Sequence, residues 1–182
     1  MTRTTYRLMI FSFLAAGVVP LVSSCSSTPQ NLKNPDVTVA ALKKISFSED
    51  ADVREAVREE CQIQTQVPEF LKRFGREYGV KVTLVDSLEK ANTDQTIEME
   101  ITRVHAPGGG GWSGAKSVTV KAKVYENGSL VGDATATRHS SGGMFAGYKG
   151  TCAIVGRCAE AIGQDLARWL QDPSKDARLG DL

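Results

Sequence analysis

The side chains best suited to thiol or metal chemistry are four cysteines, Cys25, Cys61, Cys152 and Cys158, and two histidines, His105 and His139. Zinc sites draw ligands from closely spaced pairs, and the chain has no Cys-x-x-Cys and no His-x-x-x-His. The interval between Cys152 and Cys158 is also not that of a zinc finger, so no metal is expected. A cysteine nucleophile requires a neighbouring base. Cys61 with either histidine is conceivable, but nothing in the sequence ties them together. Serine-hydrolase and zinc-protease signatures, Gly-x-Ser-x-Gly and His-Glu-x-x-His, are absent. The chain therefore reads as a protein without catalytic chemistry and without a cofactor.

Two glycine-rich stretches carry exposed-type aromatics instead. Pro107-Gly108-Gly109-Gly110-Gly111-Trp112-Ser113-Gly114 lacks the Gly-Lys-Ser/Thr ending of a phosphate loop, joins two strands and opens no helix. The plainer expectation is a mobile hairpin loop whose Trp112 folds back on a sheet. The alternative is a flexible arm that offers Trp112 to lipid, glycan or protein. In Ser140-Ser141-Gly142-Gly143-Met144-Phe145-Ala146-Gly147-Tyr148, the residues Met144, Phe145 and Tyr148 either form a lid on the core or extend an exposed contact patch. The lid is the commoner outcome and is the expectation here. Trp112, Phe145 and Tyr148 are the binding candidates.

The first twenty-five residues say where this chemistry would operate. Arg3 and Arg7 precede an apolar run from Leu8 to Val22, broken by Ser12, Gly17 and Pro20. The run is short for a membrane-spanning helix, which needs about 20 apolar residues. A basic start, a short apolar core and small residues at its end make a secretory signal peptide. The closing Val22-Ser23-Ser24-Cys25 resembles the lipobox of bacterial lipoproteins, in which a diacylglyceryl group joins the cysteine sulfur before the leader is removed. The resemblance implies cleavage after Ser24 and a lipidated Cys25. Each buried methylene adds about 0.8 kcal/mol, so two or three acyl chains hold firmly. By analogy with enterobacterial sorting, Ser26 after the cysteine favours the outer membrane. The expected location is thus the periplasmic side of that membrane.

Removing the leader alters two balances. The chain has 22 basic and 21 acidic residues; loss of Arg3 and Arg7 leaves 20 against 21, a net charge of −1. A near-neutral domain gives no support for nucleic acid or for a polybasic membrane patch. Lipidation also leaves three thiols in an oxidising compartment, where one disulfide and one spare cysteine are expected. The sequence does not choose the pair among Cys61, Cys152 and Cys158.

The rest of the chain must position these groups. Residues 25–36 read as the lipidated cysteine and a flexible spacer, 37–172 as one domain, and 173–182 as a polar tail that frays. Val37, Val39 and Ala41 alternate as a strand. Val53, Val57 and Cys61 form a narrow stripe that predicts a helix over 50–60. A second helix carries Val67, Phe70, Leu71, Phe74 and Tyr78 on one face, with Thr65 as its cap and Gly79 as a left-handed stop. Strand alternation resumes at Val80, Val82 and Leu84, again at Ile97, Met99 and Ile101, and at Val118, Val120, Ala122 and Val124. Asn127-Gly128 predicts a type I′ turn into a partner strand over Leu130–Arg138. Glu98 and Glu100 could then face Lys121 and Lys123. Ile154, Val155, Cys158, Ile162, Leu166, Trp169 and Leu170 predict a closing helix over Thr151–Gln171. The expected fold class is α+β, a mostly antiparallel sheet of four to five strands with two or three helices packed on one face.

In Val53…Val57…Cys61 followed by Leu71, and in Ser141-Gly142-Gly143 through Thr151-Cys152…Arg157-Cys158, the chain resembles small, poorly characterised proteobacterial lipoproteins with a compact α+β periplasmic domain. The wider architecture resembles lipoprotein accessory subunits of envelope transport and secretion machines. That resemblance implies a location and a fold, a membrane contact through the anchor, and a protein partner in the envelope. It supplies no catalytic residues. Alternatives are a glycan, peptidoglycan or lipid binding module, and a thiol or metal site built from the three mature cysteines.

Overall fold

The computed structural model describes residues 37–181; the leader, Cys25 and the spacer lie outside the described residues. Strand β1 (Val37–Leu42) is flanked on both sides, by β3 (Val80–Val85) and by β4 (Gln95–His105), and both neighbours run parallel to it. A central parallel strand is covered on both faces, which explains why Val39, Ala40 and Ala41 are all fully buried. Strand β2 (Ser46–Val53) continues along the same edge of β4 beyond β1, again parallel. On the other edge of β4 lie β5 (Lys116–Glu126) and β6 (Ser129–Ser140), both antiparallel, and then β7 (Ala177–Gly180), parallel to β6. The α+β class is as expected, but the sheet has seven strands in mixed orientation.

The expectation of a mostly antiparallel sheet fails for a topological reason. Only β4, β5 and β6 follow one another through short connections. Helices intervene between β1 and β3 and between β6 and β7, and a helical crossover returns the chain parallel to its start. The expected fraying tail is also corrected: β7 docks against β6 and is clamped. Arg138 donates two hydrogen bonds to Asp165, at 2.6 and 2.7 Å, and a third to Asp181 at 3.0 Å. The backbone N–H of His139 donates to the same Asp181 carboxylate (3.0 Å).

The helix expected over 50–60 is half strand. Asp52 and Val53 pair with Arg103 and Val104 of β4, and this tertiary pairing overrides the local periodicity. Only α1 (Glu55–Glu60) remains helical, with Cys61 at its C-cap. Helix α2 (Ile63–Glu77) begins at Gln62, not at Thr65; the Thr65 hydroxyl lies inside the first turn and donates to Gln62 O (3.1 Å). Pro68 sits inside α2 and has no N–H to offer the carbonyl four residues back. That carbonyl, Gln64 O, accepts the N–H of Ile45 instead (3.0 Å), and the Gln64 side chain returns a bond to Ile45 O (3.0 Å). The helix thereby holds the β1–β2 connection. Gly79 takes the left-handed conformation (φ 71°) after α2, and Asn127 and Gly128 (φ 50° and 78°) make the hairpin turn as expected.

Helix α3 (Thr151–Trp169) closes the core on the same face as α2. Gly163 permits their close approach: a Cβ there would lie 2.5 Å from the Phe70 Cβ. The opposite face of the sheet stays polar. Glu98 stands opposite Lys123 and Glu100 opposite Lys121 in the β4–β5 register. A shallow depression of about 290 Å³ lies beside them, floored by Leu42, Leu88 and Met99.

Candidate interaction surface

The strand directions bring the two glycine-rich stretches to one end of the sheet. The loop after β4 runs from Ala106 to Ala115, and the loop after β6 from Ser141 to Gly150; Lys116 pairs with Ser140 at their base. The loops interlock through backbone. Gly111 N–H donates to Lys149 O (3.1 Å) and Gly110 N–H to the Thr151 hydroxyl (3.3 Å). A Cβ on Gly111 would fall 1.9 Å from Ala146 O, and one on Gly110 2.3 Å from Lys149 O. Only glycine allows this approach.

Each loop is also pinned from below. Lys116 is completely buried, and its ammonium donates to Ser113 Oγ and Gly114 O, both at 2.8 Å. A buried lysine needs such partners. The Ser113 hydroxyl in turn reaches Gly110 O (3.0 Å). In the second loop, Gly142 O accepts from Lys149 Nζ (2.7 Å) and Arg157 Nη1 (3.2 Å). Cys61 is disulfide-bonded to Cys152, the second residue of α3, so the helix that follows the second loop is tied to the end of α1.

The expected side-chain positions are corrected here. Trp112 does not fold back on the sheet; it is 85% exposed and lies against Gly147, where a Cβ would be 3.0 Å from the indole. Met144, Phe145 and Tyr148 form no lid, since they are 79%, 70% and 90% exposed. Phe145 holds a left-handed backbone (φ 60°), an arrangement that costs a bulky residue about 1–3 kcal/mol. Four large apolar side chains thus stand on one pinned platform. The sequence showed both glycine clusters but gave no sign that they meet. Arg54, beside Gly108, was missed altogether.

The thiols and histidines do not converge on a catalytic arrangement. The disulfide removes Cys61 as a nucleophile for either histidine. Cys158 is a free, buried thiol whose Sγ lies 3.6 Å from Lys116 O. Burial pushes its pKa up to about 11; the charge of Asp181 adds to this and that of Arg157 opposes it. His105 and His139 flank Ser117 across three strands, both exposed at their residue positions. Among the described residues no three His, Cys, Asp or Glu side chains stand close enough to hold a metal ion.

No family model and no curated protein sequence matches the chain. Solved structures resemble it more distantly. A PelC dodecamer from Paraburkholderia phytofirmans is 16% identical, matched over 71% of this chain and 88% of that one, with a TM-score of 0.42. Protein XCC0632 from Xanthomonas campestris, described under the family DUF330, is also 16% identical, over 75% and 86%, with a TM-score of 0.48. At these values no site residue and no partner carries over to this chain.

Proposed function

We propose that the chain is a lipid-anchored protein on the periplasmic side of the outer membrane. In this reading it serves as a non-enzymatic accessory or assembly factor of the cell envelope, acting through protein contacts. The observation that carries the reading is the platform of Trp112, Met144, Phe145 and Tyr148. Exposing large apolar side chains together does nothing for the fold, and patches of this kind mark interaction sites. Their loops are braced by glycine contacts, a buried lysine and a nearby disulfide, which suits a preformed binding surface.

The test is crosslinking in intact cells, with a photoreactive residue at Tyr148 and a control at Thr83, exposed on strand β3. Protein adducts at Tyr148 and none at Thr83 are expected. Background yield at both positions overturns the reading. Incorporation of labelled acyl chains, lost in Cys25→Ala, tests the anchor separately. A second reading, glycan or lipid binding, is favoured by the exposure of Trp112 and Tyr148. Unchanged binding to cell-wall and lipid fractions after W112A and Y148A removes it.

A further inference from the structure

The platform's surroundings narrow what it can receive. The two loops contain no Asp or Glu, and α3 has none before Glu160. Arg54, Lys149 and Arg157 border the platform, and among the described residues none of the three is in an ion pair. A partner with neutral or basic flanks would leave this positive rim unmatched. Sugar recognition needs a few well-placed polar side chains around the aromatic faces. The loops hold no Asn, Gln, Asp or Glu to provide them, and the Ser113 hydroxyl is already engaged. Trp, Tyr, Phe, Met and Arg are the residue types enriched in the centres of protein interfaces.

The topology adds a direction. Val37 stands two residues before the β1 position that pairs with Gln95, while the loops follow His105 at the other end of β4. At ~3.3 Å per residue, entry point and platform are about 35–40 Å apart. The 12 residue steps from Cys25 to Val37 span at most about 40–43 Å when fully extended. A flexible spacer of that length has a typical end-to-end distance of only about 20 Å. Setting the platform end-on against the bilayer that holds Cys25 would need the spacer stretched to its limit. Lying the domain flat instead would press charged residues such as Glu98, Lys121 and Lys123 on one face against lipid.

We propose that the platform docks an acidic surface of a different protein, on the side of the domain remote from the anchoring membrane. Trp112, Phe145 and Tyr148 meet its apolar centre, and Arg54, Lys149 and Arg157 meet its carboxylates. The proposal rests on the anchored, contact-making reading above.

The experiment uses the full-length protein in cells, with the photoreactive residue at Tyr148 and the adduct identified by mass spectrometry. The expected adduct is a peptide of another protein with Asp or Glu beside the crosslinked position. Arg54→Glu with Arg157→Glu is expected to lower the yield about tenfold at unchanged melting temperature, while Arg54→Lys with Arg157→Lys retains it. An adduct to a neutral or basic peptide, or a yield indifferent to charge reversal, overturns the inference and leaves the contact-making reading standing. An adduct to a second copy of this chain also overturns it. Adducts to lipid or glycan alone, or none, overturn both. If the reversal lowers the melting temperature, the Lys149→Gln variant is compared with the Lys pair, and an equal yield from the two counts against the proposal.

Discussion

Removing the disulfide with Cys61→Ala and Cys152→Ala should lower stability by several kcal/mol. The bond joins residues 91 apart, and the closed loop contains β3, β4, β5 and β6 as well as α2. Loop-closure entropy for a ring of that size gives about 4.6 kcal/mol at 25 °C, and measured disulfides more often deliver 2–4 kcal/mol. For a domain of this length 1 kcal/mol moves the melting temperature by roughly 3–4 °C, so a fall of about 8–15 °C is expected. Calorimetry of the double variant and of reduced wild type, each against the oxidised protein, measures it. Hydrogen exchange separates the two ways the bond can act. If it acts only by restricting the unfolded chain, protection across residues 141–153 falls no more than elsewhere. If it also holds the start of α3, that segment opens first. Equal melting temperatures for the oxidised and reduced forms, or two alkylatable thiols besides Cys158 in native protein from the periplasm, would refute the reasoning.

Three further outcomes are expected. Cys158, held as the neutral thiol by burial, should resist iodoacetamide at pH 8 and react fully once urea unfolds the chain; fast labelling of folded protein counts against a buried thiol. Asp181 is held below its usual carboxylate range first by the His139 N–H, with Arg138 adding to it against a small burial cost. A depressed folded pKa stabilises above the unfolded value near 3.9 and ceases to do so as pH falls through the folded one. The wild type should therefore be more stable than Asp181→Asn at pH 6, with the gap closing below about pH 3; a gap independent of pH would show that the charge contributes nothing. Gly111→Ala should separate the two loops, because its Cβ cannot share space with Ala146 O. The expected result is loss of Tyr148 crosslinking with the melting temperature lowered by only about 2–4 °C, from one broken backbone bond of about 0.5–1.5 kcal/mol.

What could be read from the sequence followed local rules, and what could not depended on distant partners. Asn127-Gly128 and Gly79 declared their turns because positive φ is a property of those residues themselves. The stripes of α2 and α3 were legible because one face of each is buried along its length. The stripe over Val53, Val57 and Cys61 misled, since Val53 belongs to a strand made by pairing with β4 about fifty residues later. Strand β7 was hidden for the same reason: Ala177–Gly180 has little strand character of its own, and its place is secured by β6, Arg138 and Asp181. The cysteine pair could not be chosen because spacing does not report which helix ends lie together. At the platform the glycines were visible, yet their purpose was not. They serve contact between loops rather than mobility, and that depends on β4 and β6 ending side by side.

The position of the strain and of the bracing also follows from this arrangement. Core residues repay their ordering through burial, but Trp112, Met144, Phe145 and Tyr148 remove little surface from water. Left on free loops, they would collapse onto the sheet, which was the expectation from sequence. Three devices prevent this: close glycine contacts, the buried Lys116 ammonium under the first loop, and Gly142 O held by Lys149 and Arg157 under the second. Each holds backbone, not the aromatic rings themselves. The fold therefore fixes where the rings are presented and leaves their faces unoccupied. In a tethered domain that is near neutral overall, those faces and the positive rim around them are the most distinctive surface the chain offers.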